Sequence, residues 1–136
     1  MKPVPQRWLL QAEADLSAAR DSERSGHYEW ACFQAQQSAE KALKALLFIR
    51  GRTAVITHSI ADLIEECRAF APDFADLADE AKYLDTFYLA TRYPNALAGE
   101  RPPSQYYGQG DAQRCLSSAE SILTAVKSYI ESSSAS

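Results

Sequence analysis

The sequence predicts an all-α protein, an up-and-down helical bundle of about five helices. Three features carry this reading. Apolar residues recur at steps of three and four along nearly all of the 136 residues, the spacing that gathers them on one side of a helix. No stretch alternates apolar and polar residues as a half-buried strand would. Most connections between the amphipathic segments are short, and antiparallel packing is the natural solution for helices joined that way.

The first helix is expected over about Val4–Ser25, with Trp8, Ala12, Leu16 and Ala19 as its stripe and Gly26 at its end. The second is the most regular, from about Tyr28 to Arg50. Its stripe of Tyr28, Ala31, Ala35, Ala39, Ala42, Leu46 and Ile49 runs for about six turns. Gly51 stands where a left-handed cap is commonly needed, and Arg50 suits the negative end of the helix dipole. So much alanine lets a neighbouring helix approach closely. His58-Ser59 opens a shorter third helix. Ser59 and Asp62 read as a capping box, and Ile60, Leu63, Ile64 and Cys67 form its apolar side.

Ala71-Pro72-Asp73 separates the third helix from a fourth, which is expected to reach about Thr91 with Leu77, Ala81, Leu84 and Tyr88 on one face. Pro94 ends it, because proline disfavours helix in the residue before it and has no N–H to donate. The connection that follows runs to Gly110 and holds Pro94, Pro102, Pro103, Gly99 and Gly108. A loop of that length in a small domain is usually functional or disordered. Asp111 caps the last helix, whose stripe is Cys115, Ala119, Ile122, Val126 and Tyr129, widened by Leu116, Leu123 and Ile130. With no internal repeat and no dividing linker, residues 1–136 read as a single domain. The small polar tail over 131–136 is expected to fray.

Composition bounds the function. The chain is 46% apolar and 24% charged, with a net charge of −4, which argues against a surface that wraps duplex nucleic acid and leaves room for a local basic pocket. The longest apolar run falls far short of a membrane span. The opening Met1-Lys2-Pro3-Val4-Pro5 lacks the apolar core of a secretory signal. A cytoplasmic location is the resulting expectation. Cys32, Cys67 and Cys115 are odd in number and far apart, without zinc-ligand spacing. They read as buried, inert thiols. Neither a metal site nor a cofactor is expected.

Three groups of residues carry candidate chemistry. On the second helix Gln37, Lys41 and Lys44 fall at steps of four and three and so share one face, with Gln36 and Glu40 beside them. Glu40 precedes Lys44 by four residues, the favourable order for a helical ion pair, so a solvated face is the plain alternative. Around the long connection stand Arg92, Tyr93, Arg101, Tyr106 and Tyr107. Guanidinium forks pair with phosphate and tyrosine rings stack on bases, although both residue types are also enriched in protein interfaces. The third group is His58 alone at a helix entry, where a structural hydrogen bond is the commoner role.

Taken together these residues resemble the HEPN domain family. The Gln36-Gln37-Ser38-Ala39-Glu40-Lys41-Ala42-Leu43-Lys44 core of helix two looks like the family's hallmark segment. Trp8, the Ala14-Asp15-Leu16 turn, His58-Ser59, Tyr88 and Arg92-Tyr93-Pro94 match in order and spacing. The resemblance covers about Trp8 to Tyr129. It implies a helical bundle, commonly a homodimer, that binds nucleotides or RNA. It also implies a nucleotidyltransferase partner in a toxin–antitoxin-like pair. Other members cleave RNA through an arginine followed, after four to six residues, by histidine. Here Arg92 matches the arginine, but the histidine would fall at Leu97, Ala98 or Gly99. None of these can move a proton near neutral pH.

The favoured expectation is therefore a nucleotide- or RNA-binding domain without the usual nuclease activity, its pocket formed by Arg92, Tyr93, Lys41, Lys44, Gln37 and Tyr88. The alternatives are a ribonuclease with altered catalytic residues, Arg92 with His58 or a tyrosine, and a non-catalytic protein-interaction dimer.

Overall fold

The two long N-terminal helices, α1 (Pro3–Arg24) and α2 (Tyr28–Ile49), form an antiparallel hairpin. Gly26, at φ 80°, makes the turn possible. The Gly26 N–H donates to the Glu23 carbonyl and the His27 N–H to that of Ser22 at 2.8 Å, the paired bonds of a Schellman motif. Gly51, at φ 97°, closes α2 in the same way, with Arg52 N–H on Leu47 O. Both helices match the expected spans to within a residue. This computed structural model describes residues 2–88, 99 and 101–135.

α2 is the central helix. Its predicted alanine stripe is buried, and so are Cys32, Gln36, Ser38, Glu40, Leu43, Lys44, Ala45 and Leu47. Burial extends that far around the helix because α1, α6 (Gln109–Ala135) and α3 (Ile60–Arg68) all pack on it. The small side chains allow the close α1 approach expected of them. Ser38 Oγ reaches across to donate to the Ala12 carbonyl at 2.7 Å.

Ser59 caps α3 as predicted, its Oγ accepting from the Asp62 N–H at 3.2 Å. The acidic half of the capping box goes elsewhere. Asp62 accepts from the Thr57 hydroxyl, while Asp85 accepts from the N–H groups of Ile60 (2.7 Å) and Ala61 (3.0 Å) and from Ser59 Oγ (3.0 Å). The expected fourth helix is divided. A 3-10 turn over Pro72–Leu77 precedes α4 (Ala78–Asp85), and the chain continues in turn to Tyr88. The tighter winding that begins at Pro72 sets Phe74 into the core. Thr91 and Pro94 lie outside the described residues.

The expected loop to Gly110 contains a short helix, α5 (Pro103–Tyr106), anchored by buried Pro103. Tyr107 then packs against Phe87, ring centroids 5.3 Å apart. α6 begins two residues before Asp111. That residue caps it from inside the first turn, accepting from the Gly108 N–H at 2.9 Å. α6 continues to Ala135, since nothing in Glu131-Ser132-Ser133-Ser134-Ala135 breaks a helix. The result is an all-α up-and-down bundle. No helix among the described residues is long and apolar enough to cross a membrane.

All three thiols are buried and free. Burial, reinforced by the Glu66 carboxylate, pushes Cys67 up to about 12. Cys32 and Cys115, far apart in sequence, meet where α2 crosses α6. Hydrogen bonding with Cys32 is the first cause that raises Cys115, and burial the second.

Candidate functional site

Helix geometry sorts the polar residues of α2 into two groups that face different neighbours. Gln36, Glu40 and Lys44, at steps of four, form one column, and all three are buried. Lys44 Nζ donates to Glu40 Oε2 at 3.0 Å, with both side chains only 5% exposed. The ion pair that the sequence suggested is present, but the solvated face expected around it is not. Removing two charges from water costs several kcal/mol per ion, so a pair held this deep is weak evidence of a stabilising role.

His58, in the approach to α3, closes the column from the other side. Its Nδ1 lies 3.3 Å from the same Glu40 Oε2, and its ring stacks on Tyr88 with centroids 5.3 Å apart and planes 14° from parallel. The Asp85 cap holds these pieces in register, because it ties the entry of α3 to the end of α4 three residues before Tyr88. Trp8 of α1 completes the group, its ring centroid 5.7 Å from Lys44 Nζ, within cation–π range. Among the described residues, Gln36 Nε2 and Glu40 Oε1 have no hydrogen-bond partner. Each such buried atom costs on the order of 1–3 kcal/mol when it stays unpaired.

The second group points towards α1. Lys41 Nζ lies 2.5 Å from Asp15 Oδ2, and Asp15 Oδ1 accepts from Gln11 Nε2 at 2.8 Å. Gln37 Nε2 donates back to Gln36 Oε1 at 2.7 Å. Of the residues expected to form one pocket, Lys44 and Tyr88 are linked through Glu40 and His58, whereas Lys41 is drawn aside by Asp15. Arg92 and Tyr93 lie outside the described residues. Arg101 and Tyr106 pair with each other, the guanidinium 5.8 Å from the ring centroid.

Sequence reasoning placed Glu40 beside the candidate residues and assigned no part to Asp85 or to the Trp8 ring, whereas the structure sets Glu40 between Lys44 and His58. The signal for Glu40 was present, since Gln36, Glu40 and Lys44 fall at steps of four and form a polar column along the helix. No spacing within the sequence pairs Asp85 with Ser59. Among the described residues no three metal-ligating side chains converge.

The fold and this column define a class of helical domain built around one central polar-cored helix. The sequence matches the HEPN domain over residues 5–129, and the chain belongs to that family. It is 28% identical over 131 residues to the candidate toxin MJ1304 of Methanocaldococcus jannaschii, covering 91% of this chain and 86% of that protein. Two solved structures are also similar. TT1696 from Thermus thermophilus is 40% identical at a TM-score of 0.85, with 91% of this chain and 96% of that one covered. The archaeal HEPN homologue ST0689 is 40% identical at 0.77, with 96% and 99% covered.

Proposed function

We propose that this chain binds a nucleotide or RNA as one half of a toxin–antitoxin-like pair whose other half is a nucleotidyltransferase. Its site is the Glu40–Lys44–His58–Tyr88 column together with Arg92 and Tyr93. The observation that carries the reading is the column itself. It joins a desolvated ammonium on the family's hallmark helix, two polar atoms of that helix without a partner among the described residues, and the stacked rings of His58 and Tyr88 from the α3–α4 region. A cation suits phosphate, a ring pair offers a platform for a base, and unpartnered groups suit an incoming hydrogen-bonding ligand. Likeness to a candidate toxin supports the pairing. A homodimer is the expected assembly.

Calorimetric titration of nucleoside mono- and triphosphates and a short RNA into wild type and Arg92→Ala tests this. The expected result is saturable binding that Arg92→Ala weakens without unfolding the domain. Equal affinity in the two proteins overturns the proposed site.

One observation favours a second reading, that of a ribonuclease with altered residues. His58 stands against a carboxylate, the arrangement that orients a general base. On that reading the purified protein cleaves RNA and His58→Ala does not. Intact RNA after incubation with wild type removes it.

A further inference from the structure

Beside the column, across Trp8, lies a separate surface depression between α1 and α2. It has a volume of about 440 Å³ and is lined by Arg7, Trp8, Gln11 and Lys41. Arg7 and Gln11 sit one turn apart on α1 and face Lys41 of α2. Asp15 is the carboxylate nearest in this group, and both its oxygens are engaged, one by Lys41 and one by Gln11. Arg7 has no hydrogen-bond, ion-pair or ring partner among the described residues. Every other described arginine has one. Arg20, Arg24, Arg52 and Arg68 hold carboxylates. Arg50, Arg101 and Arg114 lie over aromatic rings. The wall shared with the column is the Trp8 ring, partly buried against Phe48 at 5.6 Å and approached by Lys44 at 5.7 Å. Arg7, Lys41 and Lys44 here outnumber Asp15 and Glu40, in a chain whose net charge is −4.

We propose that this depression is a subsite for a phosphate ester, in which Arg7 grips the phosphate through its free fork and Trp8 carries the adjoining ring. Lys41 adds charge, and the Gln11 amide, which gives one N–H to Asp15, has a second to offer. The reasoning is chemical. A guanidinium presents paired N–H donors that match two phosphate oxygens. An indole beside it supplies a stacking face of the kind that single strands and nucleotides use. Trp8 lines the depression and is also approached by Lys44, so the subsite adjoins the column. The inference deepens the nucleotide-binding reading and rests on it. The phosphate belongs either to a nucleotide's own chain or to a nucleic-acid backbone, and the test separates these.

Trp30 is half-exposed near the far end of α2 and is the only other tryptophan, so Trp30→Phe leaves Trp8 as the sole reporter. In that background, tryptophan emission is followed while AMP or a uridine hexanucleotide is added, with and without Arg7→Glu. The thermal melt of each variant serves as the control for folding. Both ligands are expected to change Trp8 emission. Arg7→Glu is expected to weaken hexanucleotide binding by about tenfold or more and to flatten its salt dependence by about 0.7 in slope, one phosphate contact's worth for a single strand. Loss with both ligands assigns the phosphate to the nucleotide, and loss with the hexanucleotide alone assigns it to the backbone. Binding by wild type with unchanged affinity and salt slope in Arg7→Glu overturns the subsite and leaves the column's reading standing. Silence of wild type towards both ligands removes both proposals.

Discussion

Lys44 carries the contrast between spacing and environment. Its distance from Glu40 along the helix is that of an ordinary surface pair, yet the pair is almost wholly desolvated. Breaking such a pair from one side leaves an uncompensated buried charge, which typically costs about 3–5 kcal/mol. Lys44→Met is therefore expected to lower unfolding stability in urea by about 3 kcal/mol. The double variant Lys44→Met/Glu40→Met is expected to lose less than the single one. A single variant within about 0.5 kcal/mol of wild type, the usual range for surface changes, would show that the charges remain solvated. Cys67 gives a second prediction. Its thiol is raised from an ordinary value near 9 to about 12 by burial. Across that window the native state keeps a proton that the unfolded state has released, so stability falls as pH rises. The contribution is fully present below the ordinary value of about 9 and is lost towards the raised value of about 12. Urea midpoints measured from about pH 8.5 to about pH 11.5 are expected to decline less steeply in Cys67→Ala than in wild type. Parallel declines would contradict this.

At the scale of elements, the junction of α3 and α4 governs the site. Ser59 was legible as a cap because its signal is local, a hydroxyl and an acid three residues apart. Asp85 was not legible, because it reaches the same N-terminus from 25 residues away in the chain and no local pattern records that. Ser59→Ala is expected to cost about 1 kcal/mol. Asp85→Ala is expected to cost more, about 2–3 kcal/mol, since it leaves two backbone N–H groups and a hydroxyl without their acceptor. Thermal unfolding of the two variants checks the order, and a larger loss in Ser59→Ala would reverse this account of the cap. The same physics explains the divided fourth helix. Periodicity ran through Leu77, Ala81 and Leu84 without a break, but it does not distinguish α-winding from the tighter turn that buries Phe74.

In the whole molecule, the bundle followed directly from amphipathic segments ended by Gly26 and Gly51. Both take the left-handed conformation, which the sequence suggested for Gly51. The site was legible only in part. Gln37, Lys41 and Lys44 share a helical face on paper, but a helix surrounded by three others distributes adjacent positions to different neighbours. Lys41 is drawn to Asp15 of α1, whereas Lys44 pairs within α2, with Glu40, and lies against Trp8. His58 and Tyr88 come together only through the α3–α4 junction. The central claim is that this junction and α2 build a nucleotide-binding site. It is tested most directly by thermal unfolding of wild type and His58→Ala with and without a saturating nucleotide. His58 is largely exposed, so its loss removes the ring stacked on Tyr88 without emptying the core. Ligand at about 100 times its dissociation constant should add about 2.7 kcal/mol to wild type, and clearly less to His58→Ala at the same concentration. Equal stabilisation of both proteins, or none of wild type by any nucleotide, would contradict the claim.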